Sequence, residues 1–185
     1  NSPKGFTLGD KQYPSDIFMK WSVEEKEAIG IHEVIFDDSN KKDEAWYINT
    51  NQSYAFANDT VTATYGIATP KAHADTNATE ADGVELDPVV VIPGLKTKLI
   101  KNLKITVANE LAKTDWYITR NTEKTTAIPS SISTHRDNVR TKQAAQEAQI
   151  TGASDTAALE TLHTYTTDAN GVQSRPLGTL PTLEI

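Results

Sequence analysis

The stretch from Pro93 to Arg120 carries the longest helical pattern in the chain and most limits the folds it can adopt. Its apolar residues recur every four positions, which is the spacing of one face of an amphipathic helix. Such a helix would be about 40 Å long at about 1.5 Å per residue. Four lysines in its first part oppose the helix dipole, so packing against another element must stabilise it. The apolar face consists of Leu95, Leu99, Leu103, Val107 and Leu111, with Ile100 and Ala108 in the adjacent row.

A second helical pattern begins after Ile128 and Pro129, because proline suits the first turn of a helix. Its weaker apolar stripe includes Ile132, Val139 and Ile150. A short polar connection separates the two patterns, which predicts a long antiparallel helical hairpin. A third, short helix is predicted to begin soon afterwards, with Ser154 or Asp155 as its N-cap.

The N-terminal part of the chain predicts a small antiparallel sheet with a short helix against it. Ser22 and Glu25 have the spacing of a capping box, and Gly30 stands where the helix should end. The residues that follow favour three or four strands, and a sheet of two or three strands without a covering helix would be marginal in water. The strand-like segments are 31–36, 45–48, 54–56 and 61–67.

The predicted fold class is α+β, with four parts along the chain. A small α+β module is followed by a polar linker with an edge strand, then by the helical hairpin with its third helix, and finally by an extended C-terminal tail. Within the tail, Asn170-Gly171 predicts a hairpin turn. These parts cover residues 1–69, 70–92, 93–165 and 166–185 respectively.

Composition narrows the classes of function. Apolar residues make up 37% of the 185 residues, so the core is thin and part of the chain is expected to be extended or buried against a partner. The net charge of −7 argues against a nucleic-acid partner, and the apolar runs are too short for a membrane span. No cysteine is present for disulfide or thiol chemistry. The first residue is not methionine, so the natural start is expected to lie upstream.

No pattern in the sequence predicts catalysis or a cofactor. The four histidines are far apart and lack the spacing of zinc ligands. Two acidic stretches resemble calcium loops, but Lys42, Glu80 and Leu86 occupy positions that such a loop reserves for ligands or glycine. No nucleophile elbow, P-loop or dinucleotide motif is found. A non-enzymatic protein is predicted, and an enzyme such as a cell-wall hydrolase is the weakest alternative.

The aromatic end of the first helical pattern allows two interpretations. Trp116 and Tyr117 bury large areas and are enriched at protein interfaces. The favoured interpretation is a core tryptophan that holds the hairpin together, and a contact with another copy is compatible with it. If Trp116 is buried, replacing it with alanine should cost about 3–5 kcal/mol. The lysines of the helix are interpreted as a solvated face rather than an anionic-surface binding site.

Two stretches of the sequence resemble a known family. YPSDIFMKWSVEEKEAIGIHEV resembles the N-terminal module of small bacteriophage tail and fibre-associated structural proteins. LIKNLKITVANELAKTDWYITRNTEKTTAIPSSISTHRDNVR resembles their C-terminal helical hairpin, and the two stretches occur in the family's order. The resemblance implies a structural role in the virion, with no catalytic residues. The positions that match the hairpin pattern are Asp115, Trp116, Arg120, Ile128, Pro129, Arg136 and Arg140.

The leading hypothesis is therefore a virion structural protein, assembled in the host cytoplasm, in the tail, baseplate or fibre attachment. It would pack against copies of itself and neighbouring virion proteins through the hairpin, with its tail inserted into a neighbour. One alternative is a neck or capsid accessory protein. Another is a module whose strands 45–67 bind a host glycan or a fibre, with Trp46, Tyr47, Tyr54 and Phe56 as stacking surface. The predicted packing or interface residues are Leu99, Leu103, Val107, Leu111, Asp115, Trp116, Arg120, Ile128, Pro129, Ile132 and Val139.

Overall fold

A computed structural model describes residues 4–50 and 52–183 of the chain. In these residues 38% are helical and 20% lie in strands, so the α+β class is confirmed. The chain divides into two compact units, residues 1–69 and 70–185.

The first unit contains short strands and two short helices. A stacked pair of rings, Phe6 and Tyr13, and an edge-on pair, Tyr13 and Trp21, join the first strands to the first helix at centroid distances of 5.4 and 6.0 Å. The elements are β1 (Phe6–Leu8), β2 (Lys11–Tyr13), α1 (Ile17–Lys20), α2 (Val23–Glu27), β3 (Val34–Asp37), β4 (Tyr47–Ile48), β5 (Gln52–Ala57) and β6 (Thr60–Tyr65), with β7 (Thr69–Pro70) at the division between the units.

The predicted capping box at the start of α2 is confirmed. The Ser22 hydroxyl accepts a hydrogen bond from the backbone N–H of Glu25 at 3.2 Å, and the Glu25 carboxylate accepts one from the backbone N–H of Ser22 at 2.8 Å. Gly30 follows the helix with a φ of +82°, the left-handed conformation that glycine adopts without strain. However, α2 has no buried residue, so it does not supply the cover that was predicted for the sheet.

The sheet of this unit is mixed, so the prediction of an antiparallel sheet is only partly correct. Its strand order is β3-β6-β5. β5 and β6 form an antiparallel hairpin whose turn residues Asn58 and Asp59 both have positive φ, as a type I′ turn requires. β3 instead runs parallel to β6, because the long segment 38–59 returns the chain to the same end of the sheet before β6 begins.

The second unit consists mainly of helices. Two of its helices are long and pack on each other, and a third packs on the later of the two. Its buried apolar residues are Val107, Ile132, Val139, Ile150, Ala153, Leu159 and Leu177. The elements are β8 (Thr76–Asn77), β9 (Val91–Ile92), α3 (Leu95–Ala112), α4 (Asp115–Lys124), α5 (Ser130–Gly152), α6 (Thr156–His163), β10 (Thr166–Thr167) and β11 (Gln173–Ser174).

Contacts between α3 and α5 pair the start of one helix with the end of the other. Lys96 Nζ at the start of α3 donates to the Thr151 carbonyl at the end of α5, at 2.8 Å. At the opposite ends, Arg136 Nη1 of α5 donates to the Leu111 carbonyl of α3, also at 2.8 Å. The two helices therefore run in opposite directions. Lys96, a member of the predicted solvated lysine face, is half-buried, and its ammonium group binds the end of α5.

The single helix predicted for Pro93–Arg120 is wrong, because the chain breaks it into α3 and α4. Lys113 and Thr114 separate the two helices. The Thr114 hydroxyl donates to the carbonyl of Leu111 at 3.0 Å and so occupies an acceptor that a continuous helix would offer to a backbone N–H.

Residues 70–92, predicted as a linker with an edge strand, contribute to the start of α3. Asp75 Oδ1 accepts hydrogen bonds from the backbone N–H of Gly94 at 2.8 Å and from the Thr97 hydroxyl at 2.7 Å. A side chain at Gly94 would collide with the backbone carbonyl of Ala74, so glycine permits this close approach. Asp75 thus caps α3 from a distant part of the sequence.

The described residues 166–183 do not form the extended tail that was predicted. β10 and β11 pair as an antiparallel hairpin, and the predicted turn at Asn170-Gly171 joins them. The chain then returns to α5, where the Gln146 side-chain amide donates to the carbonyls of Leu177 and Gly178 at 3.1 and 3.2 Å. Tail residues 184 and 185 lie outside the described residues.

The buried position of Ile150 generates a first prediction. Ile150 is 1% exposed in the core of the second unit, so Ile150→Ala should lower the free energy of unfolding by about 2–5 kcal/mol. Ile105→Ala is the matched control, because Ile105 is 51% exposed on α3 and its replacement should change stability by less than about 0.5 kcal/mol. Urea denaturation followed by circular dichroism measures both. Equal effects would contradict the packing described.

The cap formed by Asp75 generates a prediction about pH. The hydrogen bond from Thr97, with the backbone N–H of Gly94, lowers the pKa of Asp75 below its ordinary value. A carboxyl group whose pKa is lowered on folding stabilises the protein above its unfolded pKa, and this contribution is lost as pH falls through the folded pKa. Between about pH 5 and pH 2, the wild type should therefore lose more stability than Asp75→Asn does. Identical pH profiles in urea denaturation would contradict this role.

Candidate functional site

The junction between α3, α4 and α5 is formed by one buried guanidinium group. Arg136 projects from α5 and is only 8% exposed. Its Nη1 lies 2.8 Å from the Leu111 carbonyl, 2.7 Å from Thr114 Oγ1 and 2.8 Å from Asp115 Oδ1. One cationic group thus contacts the last turn of α3, the connection, and the first residue of α4. Charged hydrogen bonds of this kind are among the stronger ones in proteins.

Asp115 has two electrostatic partners in this position. Its carboxylate pairs with Arg136 and also lies in the first turn of α4, where negative charge favours the helix dipole. Both residues belong to the hairpin pattern of the sequence, and the structure brings them together. Thr114, which is 1% exposed, was not predicted as a site residue. The available signal was a threonine inside the predicted helix, because threonine hydroxyls often bind the preceding carbonyls.

A second polar cluster lies one helical turn away between α3 and α5. Glu110 of α3 pairs with Lys113, which follows directly after the same helix. Glu110 also faces His135 of α5, and the distance between Glu110 Oε1 and His135 Nε2 is 3.4 Å. The hydrogen bond from Lys113 is the main cause that lowers the pKa of Glu110, and nearby His135 acts in the same direction. The carboxylate form is therefore favoured beside the mostly buried His135 ring.

The outer face of α4 carries a cluster of two aromatic rings and one arginine. The Trp116 and Tyr117 ring centroids are 3.9 Å apart. The guanidinium carbon of Arg120 lies 4.6 Å from the Trp116 centroid and 5.4 Å from that of Tyr117, within cation–π distance of both. We call Trp116, Tyr117 and Arg120 the α4 patch. These three residue types are the ones most enriched among the residues that dominate binding at protein interfaces.

The favoured interpretation of Trp116 as a core residue is wrong. Its side chain is 51% exposed, and α4 buries none of its residues. The physical reason is the break at Thr114, which ends α3 and its apolar stripe before the tryptophan. The interface interpretation of Trp116 is the one compatible with this exposure.

The other predicted packing residues lie between α3 and α5 of the same chain. Val107, Ile132 and Val139 are buried there. Pro129 is exposed at the N-cap of α5. The predicted set therefore separates into an internal group, the exposed residues Asp115, Trp116 and Pro129, and the half-buried Arg120. The half-buried members of the internal group are Leu99, Leu103, Leu111 and Ile128.

A cavity of about 370 Å³ lies between α3, α5, α6 and residues 175–182, which we call the C-terminal segment. Its walls are mainly apolar, and Leu99 and Leu103 are among them. Gln146 also lines it: the amide nitrogen of this residue binds the C-terminal segment, whereas its buried Oε1 has no hydrogen-bond partner in the described part of the chain. The C-terminal segment thus covers the α3–α5 seam without filling it.

Comparison with known protein families, curated proteins and solved structures finds no match to this chain. Among residues 4–50 and 52–183, no group of three or more histidine, aspartate or glutamate side chains is placed to hold a metal ion. None of the helices in the same residues combines the length and the apolar character needed to cross a bilayer. The α4 patch and its support at Arg136 remain the candidate site with the most defined geometry.

The contacts of Arg136 generate a prediction about stability. An exposed arginine on the same helix, Arg140, provides the control. Arg136→Met removes three hydrogen bonds and should lower the free energy of unfolding by about 1.5–3 kcal/mol. Arg140→Met removes an arginine whose side chain is 52% exposed and should change it by less than about 0.5 kcal/mol. Urea denaturation of both variants measures the difference. Equal stabilities would show that the junction is not organised by Arg136.

Proposed function

We propose that this chain is a non-enzymatic virion structural protein, a component of a phage tail, baseplate or fibre attachment that acts by packing against other protein chains. The α4 patch carries this proposal, because it exposes a tryptophan beside a tyrosine and an arginine on a helix fixed by Arg136. The exposed Trp116 and the half-buried Tyr117 and Arg120 are of the residue types that dominate binding at protein interfaces. The resemblance of the sequence to tail and fibre-associated proteins supports the same class.

The wider distribution of apolar residues supports a role in assembly. The described residues expose more large apolar side chains than they bury. Isolated soluble domains rarely leave large apolar patches uncovered, and such patches are typical of protein–protein contacts. An assembly in which neighbouring chains cover these surfaces would also account for the thin core expected from 37% apolar residues.

In this proposal, α3 and α5 act together as a long antiparallel hairpin that presents α4 at one end. The C-terminal segment acts as an arm that a neighbouring copy can receive. Its observed contacts support exchange, because Gln146 binds the main-chain carbonyls of Leu177 and Gly178 and not their side chains. An equivalent groove on another copy offers the same contacts, so exchange of the arm conserves them.

A second candidate function is recognition of a host glycan or a fibre by the strands of the first unit. Trp46 and Tyr47 are buried and unavailable for stacking, whereas Tyr54 and Phe56 are exposed on β5. Exposed aromatic rings are the observation that favours this candidate. A glycan-array signal that is lost in Tyr54→Ala, with the fold retained, would support it.

The α4 patch generates a prediction that separates association from stability. Because Trp116 is half exposed, Trp116→Ala should change the free energy of unfolding by less than about 1 kcal/mol, not the 3–5 kcal/mol of a buried tryptophan. The same change should weaken incorporation into particles, or self-association through the α4 patch, at least about tenfold, since interface hot spots exceed about 2 kcal/mol.

Analytical ultracentrifugation over a wide concentration range and mass spectrometry of purified particles provide the readouts. Ile118→Ala on the same helix is the matched control, because Ile118 is outside the α4 patch. The proposal fails if the wild type stays monomeric at high concentration and is absent from particles.

A further inference from the structure

The free edge of β5 is the longest unprotected strand edge in the first unit. β5 lies at one side of the three-stranded sheet and, within the described residues, pairs only with β6. Its six residues, QSYAFA, include no charge and no proline, and residues 53–57 are exposed. Natural sheets usually protect such edges with charged residues, proline or a bulge, because unpaired N–H and C=O groups bind another strand.

The opposite edge of the same sheet is protected. β3 has only four residues, ends in Asp37 and is preceded by Glu33. Short length and inward or flanking charges are the usual devices against edge-to-edge pairing. The contrast within one sheet indicates that β5 is the edge open to pairing.

One face of the sheet presents aromatic rings up to this edge. The register places Ala63 between Tyr54 and Phe36, and Val61 beside Phe56. Ala63 is completely buried between its larger neighbours, whereas Tyr54 and Phe56 remain 63% and 59% exposed. The aromatic face is therefore incomplete at β5, where the rings have neighbours on one side only.

We propose that β5 pairs antiparallel with β5 of a second copy of this chain, about a two-fold axis at Ala55. The pairing joins two three-stranded sheets into one continuous six-stranded sheet. It places Tyr54 of each copy opposite Phe56 of the other, and Ser53 opposite Ala57. Two cross-strand aromatic pairs then complete the face at its centre.

The composition of β5 favours an identical strand as its partner. Opposed like charges destabilise a strand pair, and β5 has none to oppose when it meets itself. A two-fold axis centred on Tyr54 would place Phe56 opposite Gln52, and one centred on Phe56 would place Tyr54 opposite the turn residue Asn58. Only the axis at Ala55 gives each aromatic ring an aromatic partner, which fixes the register.

This pairing deepens the proposed structural role by naming one surface between copies, but it does not involve the α4 patch. A two-fold contact through β5 and a contact through Trp116 can therefore fail separately. If both form, each copy has two different contact surfaces, as a component that extends beyond a dimer requires.

Cysteine cross-linking of the full chain tests both the pairing and its register. The natural sequence has no cysteine, so every disulfide formed comes from the introduced residues. Ala55→Cys should give a disulfide-linked dimer under mild oxidation, because this residue faces its own copy across the axis. Ser53→Cys and Ala57→Cys should cross-link poorly alone and efficiently when the two variants are mixed.

Ile67→Cys is the control for random collision, because Ile67 is 91% exposed in the same unit. Cross-linking of Ala55→Cys no faster than that of Ile67→Cys overturns the proposal. Preferential cross-linking of Ser53→Cys with itself overturns the register.

A second variant tests the contact without cysteine. Ala55→Lys places two like charges at the axis and should raise the dimer dissociation constant at least tenfold, while circular dichroism stays unchanged because residue 55 is exposed. Trp116→Ala should leave this dimer intact. An unchanged dissociation constant in Ala55→Lys, or a wild type that stays monomeric at all concentrations, overturns the β5 pairing whatever happens at α4.

Discussion

The contact of the Arg136 guanidinium group with three oxygens determines how the second unit is arranged. The group binds the Leu111 carbonyl, the Thr114 hydroxyl and the Asp115 carboxylate, so it fixes the end of α3, the break and the start of α4 together. The four-residue spacing of the α3 stripe ends at Leu111, because the next position of that spacing is Asp115, which binds Arg136. A buried cation on a different helix thus sets where the α4 patch begins.

Both units cover their apolar surface incompletely, each in a different way. In the first unit a three-stranded sheet lacks a covering helix, because α2 has no buried residue. In the second, the C-terminal segment covers the α3–α5 seam but leaves a cavity of about 370 Å³. In each case apolar surface that a larger domain would bury stays accessible. This shared feature links the proposed role in assembly with the proposed β5 contact.

The features that the sequence predicted well depend on neighbouring residues. The Ser22 capping box and the turn at Asn170-Gly171 are set by side chains a few positions apart, so the local pattern is sufficient. The break at Thr114 depends on Arg136, 22 residues away, and the parallel pairing of β3 with β6 depends on the path of a long segment. The spacing of apolar residues along the sequence carries no information about such distant partners. For that reason Trp116 was predicted to lie in the core.

The way in which Gln146 holds the C-terminal segment affects how that segment can evolve. Its amide nitrogen binds backbone carbonyls, which every amino acid has, so these two hydrogen bonds impose no side-chain identity on the segment. Gly178 is restricted for another reason, because its φ of +71° is a left-handed conformation that favours glycine. Leu177 is restricted because it is buried. Related chains could thus diverge in sequence across residues 179–183 while keeping the path of the backbone, whereas a change at Gln146 would remove two of the hydrogen bonds that hold the segment.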